Sequence, residues 1–152
     1  MGVVQERLNQ AGIVLPKPAA PVANYVPFVM TGPLLYVSGQ ISFGPEGLVK
    51  GRLGETMDVA AGQAAARLCG INLLAQALAA LGDLDKVTRV VKLGGFVSAT
   101  PDFVDIPQVV NGCSDIMALA FGDRGRHARS AVACPVLPLG AAVEVDAVFE
   151  VL

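Results

Sequence analysis

Arg129-Ser130-Ala131-Val132-Ala133-Cys134-Pro135-Val136-Leu137-Pro138-Leu139-Gly140, followed by Ala142-Val143-Glu144-Val145-Asp146-Ala147-Val148-Phe149, is the stretch from which the rest of the chain can be read. It predicts two β-strands joined by a Pro-Gly turn. The first strand opens on an arginine. The second alternates Val143, Val145, Ala147 and Phe149 with the acids Glu144, Asp146 and Glu150, the period-two pattern of a strand with one buried face. An arginine and a carboxylate on neighbouring strands can together bind a small carboxylate and handle a proton, so the search for function starts there.

Upstream, Val87 to Val97 is rich in β-branched residues and reads as a central strand, in which Gly94 and Gly95 allow a bulge or a close backbone approach. A helix is expected from near Pro107, which suits a first helical position, to Gly122, with Val109, Val110, Cys113, Met117 and Ala120 on its apolar face. A longer helix is expected from a cap at Thr56 or Asp58 to Leu81, closed by Gly82. Leu68, Ile71, Leu74, Leu78 and Leu81 give it helical spacing, and Asn72 and Gln76 are its polar exceptions. Tyr25 to Met30 and Leu34 to Ile41 read as strands around a Thr31-Gly32-Pro33 turn. Gly44 to Gly54 reads as a loop with a short strand at Leu48 to Lys50. Val3 to Gln10 is a short amphipathic helix, after which Pro16, Pro18 and Pro21 impose an extended arm. The order β-β-α-β-α-β-β implies an α+β fold with a mixed sheet and both helices on one face.

The chain has 152 residues, enough for one domain. It is 53% hydrophobic and only 16% charged, with a net charge of −2. No basic cluster offers a footprint for nucleic acid. No run of 18 unbroken apolar residues predicts a membrane span. The apolar surplus is instead expected between identical subunits. The first residues lack the pattern of a secretory signal, and three widely spaced cysteines, Cys69, Cys113 and Cys134, read as reduced core thiols in the cytoplasm. No His/Cys/Asp cluster has metal-ligand spacing. The glycines of the Gly44 to Gly54 loop match no nucleotide-binding motif.

Three blocks in this order carry a family resemblance. They are Tyr36-Val37-Ser38-Gly39-Gln40-Ile41; Val87 to Val97 followed by Pro101-Asp102-Phe103; and Ala128-Arg129-Ser130 with Leu137-Pro138 and Val143-Glu144-Val145-Asp146-Ala147. Over residues 24–152 the chain resembles the Rid family of imine and enamine deaminases, also called the YjgF family and historically labelled L-PSP endoribonucleases. Residues 1–23 form an additional N-terminal arm. The resemblance implies a chorismate-mutase-like fold of the bacillus type, a homotrimer with clefts between subunits, and no cofactor. It implies that Arg129 clamps a substrate carboxylate, that Glu144 holds the catalytic water, and that Tyr25, Ser38, Gly39 and Asn111 line the cleft. His127 stands where the common form has proline, and Ala131 replaces a pocket cysteine, which marks a divergent subgroup.

Each residue also has a plainer reading. Arg129 alone would serve as a strand-end ion-pair partner, although its planar fork suits a carboxylate in a way lysine cannot copy. Glu144 alone would be a solvated strand position, and Asp146 on the same face could share or take its role. Tyr25 reads equally as interface packing, Asn111 as a water-facing helix residue, and His127 as a surface histidine or a substrate-side contact. The resemblance implies hydrolysis of 2-imino or enamine acids to 2-keto acids and ammonia; the alternative is capture of a small carboxylate metabolite without turnover.

Overall fold

The computed structural model describes residues 2–18 and 23–152. Its elements are α1 (Val3–Gln10), β1 (Phe28–Thr31), β2 (Leu34–Ile41), β3 (Phe43–Gly44), β4 (Gly47–Leu48), α2 (Val59–Leu81), β5 (Val87–Ser98), α3 (Ile106–Phe121), β6 (Ala128–Cys134) and β7 (Val143–Val151). Five strands make one mixed sheet in the order β1-β2-β7-β5-β6, while β3 and β4 form a separate small hairpin. All neighbours in the large sheet are antiparallel except β5 and β6. The expected α+β architecture is present, with α1 as a third helix from the N-terminal arm. Pro21, part of the expected extended arm, lies outside the described residues.

One expectation needs correction. β6 and β7 are consecutive in the chain but are not neighbours, because β5 lies between them. The reason is the crossover through α3. It returns the chain parallel to β5 and lays β6 along one edge of that strand, leaving the other edge for β7. The turn from Pro138 to Gly140 therefore carries the chain past β5 instead of closing a hairpin, and it places Leu139 in a left-handed conformation with φ 59°.

Alternation decides what each face of the sheet does. Val143, Val145, Ala147, Phe149 and Val151 point from β7 into the core beneath α2 and α3, joined by Val90, Leu93 and Val97 of β5. The Asp58 carboxylate caps α2 by accepting from the Ala61 N–H at 2.8 Å, and Gly82 ends the helix at φ 76°. By length and composition α2 is apolar enough to cross a membrane. In this fold its apolar residues Ala66, Cys69, Leu73, Leu74 and Ala77 are spent against the protein core. α2 and α3 approach closely at Gly112, where a Cβ would collide with the Gln63 main chain. The Gln63 side chain also donates to the Gln108 carbonyl at 2.9 Å. Gly95 leaves room for the Val110 side chain of α3 and Gly94 for the Asp146 side chain of β7, while the irregularities of β5 fall nearer its start.

Helix α1 docks Val4 and Leu8 into the core, followed by Ile13. Its N-terminal cap is Gly2, which has no side chain to offer. The Asp85 carboxylate supplies the acceptor instead, taking the Val3 and Val4 N–H groups at 2.8 and 2.9 Å. These two bonds, Val4 first, hold the Asp85 carboxyl below its ordinary value. Asp85→Ala is expected to cost about 1 kcal/mol, the usual worth of such a cap. Because the folded pKa is depressed, the contribution is present above the ordinary carboxylate range and fades as pH falls through the depressed value. Hydrogen exchange of the α1 amides reports this directly. Unchanged protection in the variant would show that burial alone holds the helix.

Candidate functional site

Arg129 pairs in register with Leu93, whose other partner is Ala147, so its side chain leaves the sheet on the helix side. There it meets α3. Nη1 donates to Asn111 Oδ1 at 2.7 Å and to Ser114 Oγ at 3.1 Å. Asn111 and Ser114 are three residues apart and share one helical face. Ser114 Oγ also lies 2.9 Å from His127 Nε2, and His127 Nδ1 lies 2.6 Å from the Gly125 carbonyl oxygen. Arg129, Asn111 and His127 thus belong to one half-buried cluster at the edge of the helix layer. Ser114 was missed in the sequence, although its spacing from Asn111 was a usable signal.

Glu144 and Asp146 project from the opposite face of the sheet. Glu144 stands beside Phe96 on β5 and Ile41 on β2. Between Val37 and Gln40 the β2–β7 register slips, and the irregularity contains Ser38 and Gly39. Gly39 leaves room for the Glu144 carboxylate, whose Oε2 occupies the place a Cβ would take, so a side chain at 39 would push Glu144 aside. Ser38 donates its hydroxyl to the Val26 carbonyl at 2.9 Å, which fixes the segment carrying exposed Tyr25 alongside. Ser38, Gly39 and Glu144 therefore make a second cluster, and the segment that carries Tyr25 runs beside it. A single chain does not bring Arg129 and Glu144 together: they lie on strands separated by β5 and on opposite faces. The expected pairing on neighbouring strands of one chain is corrected accordingly.

The open face forms a groove of about 840 Å³, lined by Tyr36, Ser38, Gly39, Phe96, Ser130 and Asp146 among others. Val29, Tyr36 and Val132 remain about half exposed on this face. Burial raises the Glu144 carboxyl above its ordinary value, and the nearby Asp146 charge adds to the effect. Burial also raises Asp146, opposed by the Gly94 N–H and the Lys92 charge. A raised carboxyl costs stability when ionised, so that cost is absent at low pH and grows as pH rises through the raised value. Glu144→Gln is expected to make the chain more stable at pH 7. The gain should be under about 1 kcal/mol because the group is half exposed to solvent. Thermal melts at pH 4 and pH 7 check this; a variant less stable at pH 7 would contradict it.

The cysteines divide. Cys69 and Cys113 are buried, whereas Cys134 at the end of β6 is only partly covered, which corrects its reading as a core residue. Burial pushes the Cys113 thiol up to about 12 despite the nearby Arg129 charge, so it is a packing residue rather than a nucleophile. Among the described residues, no group of three His, Cys, Asp or Glu side chains could share a metal ion.

This combination defines an α+β sheet protein of the chorismate-mutase-like class, with an anchored arginine on one sheet face and a half-buried carboxylate pair on the other. A family model described as "YjgF/chorismate_mutase-like, putative endoribonuclease" matches residues 5–151, and the chain belongs to that YjgF (Rid) family. It is 50% identical over 151 residues to Protein TCP17 of Trypanosoma cruzi, covering 98% of this chain and 94% of that protein. The crystal structure of Atu1372, a protein of unknown function from Agrobacterium tumefaciens, is 48% identical, with a TM-score of 0.92 over 99% of this chain and 93% of that one. A structure from Shewanella oneidensis, described as a "putative endoribonuclease", is 33% identical, with a TM-score of 0.95 over 99% of this chain and 100% of that one. Those alignments span nearly the whole chain, including the part that carries α1.

Proposed function

We propose that this protein hydrolyses reactive 2-imino or enamine acids to 2-keto acids and ammonia, in clefts formed between copies of the chain in a homotrimer. The observation that carries the reading is the state of Arg129. Asn111 and Ser114 accept from Nη1, and among the described residues no acceptor is bonded to Nε or Nη2. That edge of the guanidinium is a ready bidentate donor for a carboxylate.

The chemistry needs little more. With the carboxylate held, the imine carbon faces a water positioned by Glu144. The half-buried carboxylate takes a proton as the water oxygen bonds to that carbon, a role favoured by a pKa raised above its ordinary value. Glu144 returns that proton to nitrogen to give the carbinolamine, then relays the hydroxyl proton to the amine, and the C–N bond breaks as the carbonyl forms and ammonia leaves. One water is consumed for each ammonia released. The imine carbon is already electrophilic, so the step calls on no cofactor.

In this reading a second copy presents the other half of the site, which accounts for the separation of Arg129 from Glu144 within one chain. The half-exposed Val29, Tyr36 and Val132 on the open face supply apolar surface for such a contact. Sedimentation equilibrium at micromolar concentration should return three chains; a stable monomer would refute the shared cleft.

A second reading is favoured by the same separation. The arginine cluster is complete in a single chain and could capture a small carboxylate without turnover. The deciding experiment couples the protein to an amino-acid dehydratase and follows keto-acid release from the imine. Acceleration supports the enzyme. Binding of 2-keto acids with no acceleration supports the binding protein. A ribonuclease reading, which the family description also carries, finds no support in a chain of net charge −2 that lacks a basic cluster.

A further inference from the structure

We infer that Ser114 and His127 are positioning residues that lock the Arg129 guanidinium through a one-directional hydrogen-bond chain ending on the Gly125 carbonyl. The direction follows from what each group can do. A carbonyl oxygen only accepts, so at 2.6 Å His127 Nδ1 carries the proton. In the neutral ring Nε2 is then the acceptor, and the group 2.9 Å away that can donate to it is the Ser114 hydroxyl. Ser114 Oγ, its one hydrogen directed at histidine, turns a lone pair to Arg129 Nη1 at 3.1 Å. Asn111 Oδ1 takes the second Nη1 hydrogen at 2.7 Å. Every donor in the chain has one acceptor, and Nη1 has no hydrogen left for a ligand.

The consequence is orientation. Arginine has many rotamers, and a carboxylate receptor built on it loses affinity to the entropy of holding the side chain still. With Nη1 tethered at two points on α3, the guanidinium plane is set before a ligand arrives and only the Nε–Nη2 edge is offered. His127 is anchored in turn by the backbone that follows α3, which buries Gly125 against Met117. In this role His127 neither touches the ligand nor moves its protons. It selects the direction of the Ser114 O–H. The assignment of a ligand to the free edge rests on the function proposed above; the hydrogen-bond chain does not.

The test uses the full-length protein and two readouts independent of activity. Nitrogen-15 NMR of the imidazole at neutral pH should show His127 protonated at Nδ1 and bare at Nε2. Modification of Arg129 by phenylglyoxal, mapped by peptide mass, should be slow in the wild type. It should quicken by about tenfold in Ser114→Ala, the equivalent of one hydrogen bond to a charged group. Ser114→Thr, which keeps the hydroxyl, should restore the slow rate. His127→Phe, which removes the acceptor while keeping a ring, should quicken it too, and serves if Ser114→Ala does not fold. A ring protonated at Nε2, or modification rates unchanged in both Ser114→Ala and His127→Phe, would overturn the inference. Protection of Arg129 by 2-oxobutyrate is a separate arm. Its absence would count against the proposed ligand while leaving the tautomer and reactivity results to judge the positioning role.

Discussion

Gly112→Val should be the most damaging single substitution on the helix side of the sheet. The new Cβ would overlap the Gln63 carbonyl oxygen and press on its carbon and Cα, so the obstacle is main chain and cannot swing aside. Either α2 moves away from α3 or the helices distort, and both routes open the core around Val109, Cys113 and Ile116. Overpacking against backbone is expected to cost about 3 kcal/mol or more. For a chain of this length that is a fall in Tm of roughly 10 °C. Gly82→Ala is the matched control. It pays for a left-handed φ of 76° but meets nothing within 4 Å. Its cost should stay near ~1 kcal/mol, the scale of left-handed strain for a residue with a Cβ. Equal losses in the two variants would mean that helix contact is not what Gly112 provides.

Arg129→Lys is expected to lose most imine hydrolysis while fold and assembly survive. The charge remains, but an ammonium cannot offer two parallel donors to a carboxylate, nor can it hold Asn111 and Ser114 in the same geometry. Losing a charged hydrogen bond of about 1.5–3 kcal/mol corresponds to a ~10- to 150-fold drop in kcat/KM. Wild-type turnover in Arg129→Lys would remove Arg129 from the site. Mixing experiments sharpen this test. Arg129→Ala and Glu144→Ala chains, each inactive alone, should recover activity when refolded together, because random trimers rebuild about one intact site in four if each cleft takes its arginine and its acid from different copies. No recovery from the mixture would mean that the two residues do not meet across an interface.

Much of this protein was legible from residue order. The strand from Val143 onward alternates so strictly that its buried and open faces can be assigned from sequence. Asp58 and Gly82 bracket α2 because a cap acceptor and a left-handed exit are local demands. Pro107 near the start of α3 and Gly122 after its end work the same way. Members of both clusters were also visible, Arg129, Asn111 and His127 on one side and Glu144, Ser38 and Gly39 on the other. Period and capping act over a few residues, so they survive in a one-dimensional reading.

What the residue order could not supply is adjacency. Arg129 and Glu144 sit fifteen positions apart, on strands that follow one another, yet β5 enters between those strands, and the two side chains leave opposite faces of the sheet. Strand order is set by how α3 returns over the sheet, and that is decided by packing across residues far apart in the chain. The same holds for Ser114, an ordinary helix residue until Arg129 and His127 close on it, and for Asp85, which caps a helix 81 to 82 residues away. Local periodicity determined which residues face the core and which face outward. Only the tertiary structure decided which of the outward-facing groups meet, because hydrogen bonding and desolvation depend on distances of a few ångströms that sequence spacing does not encode.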